Sequence, residues 1–334
     1  MQSYVVFDLE WNQSANGKVG QVPDLPFEII EIGAVKLDEN FKTISTFRRI
    51  IRPVVYPKLH FRVSEVIHLG IEELKNEGED FVTVCTDFIN WCKEGNAVNP
   101  HFGSWPIFCT WGEGDLIQLE RNMAYHGMKI DFPYPFLYYD VQKLYSISTL
   151  GNHKTVLPLE QAVQELCIRE ADEYHAALVD ATYTADVMRS MEWNKVKDYL
   201  SLDYYRIPRC KEEEIYLIFP DYSKFVSRAF DTKEDAMKDA AVREVICYRC
   251  NSVLKKPLNW FTGNQKQYSC VGYCPSHGFM KGKIKVRHTS DDKTYVIKTI
   301  KAITKENLDF MSEKKIEVQK LKTERNRRRR HKDS

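Results

Sequence analysis

The sequence predicts an α/β domain with a mixed β-sheet flanked by helices, followed by a small C-terminal module and a basic tail. Residues 1–195 begin with three strand-like stretches and continue with short strands that alternate with amphipathic helices. This order is typical of a mixed sheet that carries helices on its faces. From about residue 206 the composition shifts towards lysine, arginine and cysteine. A chain of 334 residues is long enough for one large domain and a smaller one.

The first strand is predicted at residues 5–7, where three apolar residues follow one another. Strands over 27–35 and 41–53 then complete an antiparallel meander. Apolar residues spaced three and four apart predict an amphipathic helix over 81–93. The other predicted elements are strands over 106–111, 136–139, 214–219 and 224–230, short helices within 60–78, and helices over 115–127, 159–166, 176–193 and 232–242.

The formal net charge of +1 hides a strong asymmetry along the chain. Residues 1–205 hold 18 Lys and Arg against 30 Asp and Glu, a charge of −12, whereas residues 206–334 hold 30 against 17, a charge of +13. An acidic half joined to a basic half suggests a catalytic body and an electrostatic arm for a polyanion. We therefore expect an enzymatic domain over 1–205, a basic domain over 206–311 and a charged basic tail over 312–334, which begins as a helix and runs into a disordered arginine-rich end.

The N-terminus lacks a basic-then-apolar signal pattern, and no apolar run approaches the length of a membrane span. We expect a cytoplasmic protein with no membrane partner. The nine cysteines are then expected to be thiols or metal ligands rather than disulfides.

Two carboxylates, Asp8 and Glu10, follow the first strand with one residue between them. Alternate residues of a strand point to the same face, so both acids aim at one place. Neighbouring buried anions repel unless a cation lies between them, and hard cations such as Mg²⁺ prefer carboxylate oxygens. Alone, the pair could equally be two solvated acids at the end of a strand.

Three further residues extend this set, namely Asp115, His175 and Asp180. Singly, Asp115 could be a helix-capping acid, His175 a surface histidine and Asp180 an acid on a helix face. Asp87 and Asp140 are rival acids for the middle position, and of these Asp140 follows a predicted strand. The ordered set of two acids, a third near the middle and a final histidine and aspartate is what favours a catalytic site.

This order resembles the DEDD superfamily of 3′–5′ exonucleases, in the branch whose last motif carries a histidine. The motifs are Phe7–Glu10, Glu28–Val35, Trp111–Asp115 and Tyr174–Ala181, within roughly residues 1–195. They are most similar to the branch that includes histone-mRNA 3′ exonucleases and KapD-like proteins. The resemblance implies an RNase-H-like fold and a hydrolase that degrades single-stranded nucleic acid, RNA rather than DNA, from the 3′ end.

The resemblance also implies a site with two Mg²⁺ or Mn²⁺ ions about 3.5–4 Å apart. Asp8 would bridge both ions, Glu10 and Asp180 would complete one site, and Asp115 would hold the second ion. His175 suits a general base, because histidine titrates near neutral pH.

In one respect the sequence departs from proofreading relatives, which have Thr-Thr-Gly where this chain has Trp11-Asn12-Gln13. Residues at this point of the family usually touch the terminal nucleotide. Leu9 and Trp11 are therefore expected to contact the substrate.

The cysteines cluster near the C-terminus as Cys247-x₂-Cys250 and Cys270-x₃-Cys274, separated by 19 residues, with His277 three residues further on. This spacing predicts a zinc-ribbon-like segment over 247–277 that binds one Zn²⁺. Four thiolates satisfy a tetrahedral site, so four cysteines are the favoured ligands, although His277 could replace one. Four unrelated thiols, or redox chemistry, are the alternatives.

Aromatic residues in this segment, among them Trp260, are interleaved with cations such as Lys283. Such interleaving favours stacking on bases and neutralisation of phosphates, although the aromatics could instead form the core of the module. The run Arg327–Arg330 would add non-specific affinity for nucleic acid. Together with these features, the resemblance implies a metal-dependent 3′–5′ exonuclease, with a single-stranded DNA exonuclease or a catalytically silent nucleic-acid-binding regulator as alternatives. It does not predict the oligomeric state.

Overall fold

The computed structural model describes residues 2–99, 102–151, 155–168, 174–262 and 266–330. The chain divides into two compact units, residues 1–205 and residues 206–334. Each unit is built around its own β-sheet of six strands.

The first unit contains a mixed sheet with strand order β3-β2-β1-β4-β5-β6. The first three strands are antiparallel, β4 and β5 run parallel to β1, and β6 is an antiparallel edge strand. The predicted mixed α/β sheet of RNase-H-like type is therefore confirmed. The strands are β1 (Tyr4–Asn12), β2 (Glu28–Leu37), β3 (Thr43–Ile50), β4 (Ile107–Thr110), β5 (Leu137–Asp140) and β6 (Ser201–Leu202).

Among the described residues of the first unit, eight helices accompany this sheet, in addition to one turn of 3₁₀ helix at Gly17–Gly20. Helix α5 was not predicted; it begins where the Asp140 carboxylate accepts a hydrogen bond of 3.0 Å from the Lys143 backbone nitrogen, an N-cap. The helices are α1 (Phe61–Val66), α2 (Ile71–Glu77), α3 (Phe81–Lys93), α4 (Gly114–Tyr125), α5 (Val141–Leu150), α6 (Leu159–Glu165), α7 (Ala177–Ser190) and α8 (Trp193–Val196).

Alternation along β1 divides the hydrophobic core between the two faces of the sheet. Val5, Phe7 and Leu9 pack in one cluster with residues of α3 and α4. Val6 packs on the other side, in a cluster that includes Ala181 of α7. Because successive residues of a strand point to opposite faces, the even-numbered Asp8 and Glu10 lie on the face that α7 covers.

The second unit contains an antiparallel sheet with strand order β7-β8-β12-β11-β10-β9. These strands enclose their own buried clusters around Ile284, Val296 and Ile300, so the second unit has a hydrophobic core of its own. The strands are β7 (Ile215–Ile218), β8 (Tyr222–Val226), β9 (Lys255–Phe261), β10 (Gln267–Cys274), β11 (Gly278–His288) and β12 (Thr294–Ala302).

The helices of the second unit differ from one prediction and extend another. The helix expected over 232–242 is divided into α9 (Lys233–Lys238) and α10 (Ala240–Arg243), because Asp239 is extended and caps α10 through the Val242 nitrogen. The charged tail expected from residue 312 belongs, as far as residue 330, to helix α11 (Lys305–Arg330). Its first turns are held to the sheet by Leu308 and Met311, which pack against β9 and β10. None of the helices in the described ranges combines the length and apolar character that a membrane span requires.

Candidate active site

Asp8 and Glu10 lie on the inner strand β1 of the first unit, and both are partly exposed to solvent. The register of β1 and β2 places Gly33 opposite Asp8 and Glu31 opposite Glu10. The ladder shifts register immediately after Glu10, a β-bulge of the kind that often re-aims side chains beside functional sites.

Asp115 reaches the same region from the first turn of α4 and is buried. Its Oδ1 accepts a hydrogen bond of 3.2 Å from the Leu9 backbone nitrogen. This bond ties the carboxylate of α4 to β1 between the two acids of the strand. Asp115 therefore does more than lie at a helix start, although that position also favours an acid electrostatically.

Asp180 lies in the first turn of α7, and His175 precedes that helix. The His175 backbone has a left-handed conformation with φ of 66°, and its N–H donates to Asp180 Oδ2 at 3.1 Å. The His175 side chain is exposed, with Nε2 3.7 Å from Glu160 Oε1. Ligand atoms of Glu10, His175 and Asp180 lie within 4.8 Å of one another.

Helix α7 comes this close to the sheet because residue 33 of β2 is a glycine. A Cβ atom at this position would lie 2.0 Å from the Leu178 nitrogen and 2.1 Å from the Ala177 carbonyl carbon. Any larger residue would therefore push the start of α7 away from β1. Gly33 sets the distance between Asp180 and the acids of β1.

Burial and mutual repulsion govern the protonation of the four carboxylates. Burial, followed by the charges of Asp115 and Glu10, holds the pKa of Asp8 well above its usual range. Burial and the nearby acids, Asp180 first, raise the pKa of Glu10 to about 8. Burial also raises the pKa of Asp115 to about 7 and that of Asp180 to about 6. Such raised values are characteristic of acids grouped at a functional site.

A fifth acid, Glu31, was not predicted as part of this site. Its side chain is buried, and Oε1 accepts a hydrogen bond of 2.6 Å from Arg48 Nε on β3. Oε2 accepts from the Ala177 nitrogen at the start of α7, at 3.4 Å. Glu31 thus joins β2, β3 and α7 beneath the site. The feature that could have revealed Glu31 is its position opposite Glu10. That position depends on the register of β1 and β2, which the sequence alone does not give.

Asp140 and Asp87, the alternatives to Asp115, make other contacts in the first unit. Asp140 caps α5, as described above. Asp87 lies on α3, with Oδ2 3.5 Å from Arg49 Nη2. Neither is among the acids whose charges raise the pKa of Asp8.

The donor set fits divalent cations. Asp8, Glu10, Asp115 and Asp180 offer carboxylate oxygens, the ligands that Mg²⁺ and Mn²⁺ prefer. Within the part of the chain that the structure describes, the buried Oδ1 of Asp180 has no hydrogen-bond partner. A buried carboxylate oxygen left in this state is costly unless a cation or proton satisfies it.

The two expected substrate contacts on β1 have different surroundings. Leu9 is buried in the core, so its side chain faces away from the acids. The Trp11 ring is partly buried, 5.9 Å from the Phe27 ring, and 3.5 Å from where a Cβ of Gly114 would lie. The adjacent Asn12 is a structural residue, because its buried amide donates to Tyr56 O and Lys58 O at 2.9 Å.

In the second unit, three of the four predicted zinc ligands come together. Cys247, Cys250 and Cys274 form one group, and its fourth member is His277 rather than Cys270. Cys270 lies four residues before Cys274 on β10 and is fully buried. Its Sγ would lie 2.6 Å from a Cβ atom at position 282. The structure thus groups His277, the alternative ligand, with these three cysteines and leaves Cys270 outside the group.

The two residues of the second unit that were predicted to contact nucleic acid, Trp260 and Lys283, have different surroundings. Trp260 is a packing residue, since it lies against two buried clusters and its Nε1 donates to Arg243 O at 2.8 Å. Lys283 is half-buried on β11, between the buried Gly282 and Ile284. It therefore projects from the face of the sheet opposite Ile284.

Phosphodiester hydrolysis is the chemistry that such a group of acids supports, because cations held by carboxylates stabilise the charge of a transferring phosphoryl group. Such a group of acids is typical of the class of metal-dependent phosphoesterases. A family model described as Exonuclease, RNase_T, matches residues 5–188. This is more than half of the chain, which therefore belongs to the RNase_T exonuclease family and is a hydrolytic nuclease.

Solved structures similar to this chain include a full-length 3′-exonuclease, with 18% identity, a TM-score of 0.48, and 60% of this chain and 85% of that chain covered. The nuclease domain of 3′hExo, a DEDDh family member bound to rAMP, has 17% identity and a TM-score of 0.49 over 61% and 96% of the two chains. Pop2p of S. pombe, in a form with Mg²⁺ and Mn²⁺ bound, has 17% identity and a TM-score of 0.42 over 57% and 82%. A search of curated protein sequences finds no significant match to this chain.

Proposed function

We propose that this exonuclease is metal-dependent and removes nucleotides one at a time from the 3′ end of single-stranded nucleic acid, with RNA favoured over DNA. The observation that carries the proposal is the convergence of Asp8, Glu10, Asp115 and Asp180 from three elements, with His175 exposed beside them. The 3′–5′ direction and the preference for RNA rest on the resemblance of the four motifs to the RNA-acting branch.

Asp8, Glu10, Asp115 and Asp180 would hold two Mg²⁺ or Mn²⁺ ions. When bound, these ions supply positive charge for the phosphoryl oxygens and the leaving oxygen, and they acidify water. The chain itself fixes the carboxylates in advance. Asp115 is held by the Leu9 nitrogen, and Asp180 by the His175 nitrogen. Preorganised groups of this kind need little rearrangement during the reaction.

His175 is proposed as the general base that takes the proton from the attacking water. Its side chain is exposed, so it can reach a solvent molecule, while its backbone is tied to Asp180. Glu160 lies 3.7 Å from its Nε2 and would stabilise the imidazolium that forms. Positioned bases of this kind contribute about 10²–10⁴-fold to a rate.

The second unit is proposed to hold the strand through one face of its sheet. Lys281, Lys283 and Lys285 alternate with buried residues on β11, and so project on one side. The register places Lys301 opposite Lys281, and Thr299 opposite both Lys283 and Lys224. This face thus gathers five lysines within a half-chain of charge +13, and cations that neutralise phosphates supply affinity by releasing counterions.

The experiment is a degradation assay on matched single-stranded RNA and DNA oligonucleotides carrying a 5′ label. We expect a ladder that shortens from a free 3′ end in Mg²⁺ or Mn²⁺, no reaction with a blocked 3′ end or in EDTA, and faster loss of RNA. Asp8→Asn should be inactive, because it removes one of the carboxylates proposed to hold the metal ions. The variant should still fold, because the substitution removes one anion from a crowded group and alters no packing. Near-normal activity of Asp8→Asn would overturn the site, and faster loss of DNA would overturn the preference.

A further inference from the structure

The second unit brings three thiols and one imidazole to a single point. Cys250 Sγ lies 3.6 Å from Cys274 Sγ, and His277 Nδ1 lies 3.5 Å from Cys247 Sγ and 3.6 Å from Cys274 Sγ. All four potential ligand atoms lie within 4.8 Å of one another. This arrangement is separate from the carboxylates of the first unit and does not depend on the proposed exonuclease chemistry.

These distances match the edges of a tetrahedron around zinc. With Zn–S bonds of about 2.3 Å and Zn–N bonds of about 2.0–2.1 Å, tetrahedral geometry places two sulfurs about 3.8 Å apart and a sulfur and a nitrogen about 3.6 Å apart. The three short separations lie within a few tenths of an ångström of these values. Thiols that merely hydrogen-bond to each other gain little, because S–H is a weak donor.

Two tight turns present the four side chains. Cys247 and Cys250 belong to a turn in which the Asn251 nitrogen donates to Cys247 O at 2.8 Å, and Asn251 has a positive φ of 58°. Cys274 ends β10, and His277 lies in the connection to β11, just before Gly278 with its φ of 76°. A metal bound here would join the segment before β9 to the β10–β11 hairpin.

Strand geometry excludes Cys270 as a ligand of the same ion. Cys270 and Cys274 are four residues apart on β10. At about 3.3–3.4 Å per residue their Cα atoms are about 13 Å apart, and their side chains project in parallel. Zinc ligands must meet within a few ångströms, so only one of these two cysteines can bind the ion.

We propose that Cys247, Cys250, Cys274 and His277 bind one Zn²⁺ in a closed Cys₃His site, with His277 coordinating through Nδ1. Four protein ligands leave no open position, as in structural rather than catalytic zinc sites. The ion would fasten the hairpin that carries the lysines of β11 to the preceding turn. Cys270 would remain a protonated core thiol, in keeping with its burial, which raises its pKa to about 12.

The first measurement is zinc content per chain of the full-length protein and its variants, purified without chelator from zinc-supplemented cultures. We expect about one Zn²⁺ in the wild type and in Cys270→Ala, the matched control from the same strand. His277→Ala and Cys250→Ser should lose most of it. His277→Cys should keep zinc, because a thiolate can replace the imidazole. Loss of zinc in Cys270→Ala with retention in His277→Ala would overturn the assignment.

X-ray absorption at the zinc edge of the wild-type protein tests the same proposal without relying on variants that fold poorly. Three sulfur neighbours at about 2.3 Å and one nitrogen at about 2.0–2.1 Å are expected. Four sulfur neighbours would contradict the role of His277. A protein that takes up no zinc after reduction, or in which Cys250 and Cys274 form a disulfide that is required for stability, would overturn the site altogether.

Discussion

Glu10 and Glu31 lie directly opposite each other on the antiparallel strands β1 and β2. Among the described residues, Glu31 is the member of this pair that has a cation, because its Oε1 accepts a hydrogen bond from Arg48 Nε. Glu31 still raises the pKa of Glu10. One carboxylate of the pair is thus anchored in the protein, while the other is left to face the site.

Replacing Arg48 should destabilise the first unit. Arg48→Ala leaves the buried Glu31 without its cation, and we expect the free energy of unfolding to fall by about 1–3 kcal/mol. Glu31→Gln added to Arg48→Ala should recover part of the loss, because a neutral amide is cheaper to bury. Urea unfolding of the single and double variants measures this.

Arg49→Ala is the matched control for Arg48→Ala. Its partner Glu79 is partly exposed, as is Arg49 itself, so the loss should be about 0–1 kcal/mol. Equal effects of the two arginine substitutions would show that Glu31 does not depend on Arg48.

Gly33→Ala should reduce catalysis by displacing α7. The new methyl group would collide with the backbone at Ala177 and Leu178, and a shift of about 1 Å in a reacting group can cost about 10²-fold in rate. We expect kcat to fall by that order. Gly70→Ala is the control, because a Cβ at position 70 meets no atom within 4 Å. Full kcat in both variants would contradict the role of Gly33 in positioning α7.

His175→Asn should lower kcat by about 10²–10⁴-fold, with little change in binding of the oligonucleotide. Asparagine is the suitable replacement, because it tolerates the left-handed backbone at this position better than most residues. His288→Asn, an exposed position on the second unit, should change nothing. If His175→Asn weakened binding but kept kcat, His175 would be a substrate contact instead of a base.

Metal binding should release protons and should weaken as pH falls. In the metal-free protein, Glu10 and Asp115 have pKa values of about 8 and about 7, so both are partly protonated at neutral pH. A cation binds only the ionised forms and must displace these protons. Mn²⁺ titration calorimetry in buffers of different ionisation enthalpy should show net proton release at pH 7 and less at pH 9. Unchanged release in Asp115→Asn would count against Asp115 as a titrating ligand.

The same raised pKa values predict how stability depends on pH without metal. A carboxyl group whose pKa is higher in the folded than in the unfolded protein stabilises the fold at low pH. That contribution is lost as pH rises through the folded-state values of about 6–8. In EDTA the thermal stability of the first unit should therefore fall between about pH 5 and pH 8, and Mg²⁺ should restore it. A rise over this range in EDTA would contradict the raised values.

The lysine face of the second unit should contribute to KM and its salt dependence. Lys281, Lys283 and Lys285 replaced together by glutamine should raise KM and flatten the dependence of KM on salt, because fewer counterions are released. On short oligonucleotides kcat should stay nearly constant. Lys129, Lys195 and Lys197, exposed lysines of the first unit, replaced together provide a control of equal charge. Equal KM and salt slope in both triple variants would favour a protein partner for this face.

The sequence by itself determined the features that depend on short-range periodicity. The two-residue repeat of a strand was enough to place Asp8 and Glu10 on one face, and the alternation of strands and helices was enough for the mixed sheet. Two other features could not be predicted from the sequence. The ion pair of Glu31 with Arg48 depends on the register of the strands, and the close approach of α7 to Gly33 depends on how a distant helix packs on the sheet. The proposed zinc ligands show the same division. Spacing indicated a metal site but favoured Cys270, whereas the pleat of β10 carries Cys270 away from Cys274 and the following turn brings in His277. Local pattern fixes which way a side chain points, but only the folded backbone fixes which side chains meet, because such contacts join residues that are far apart along the chain.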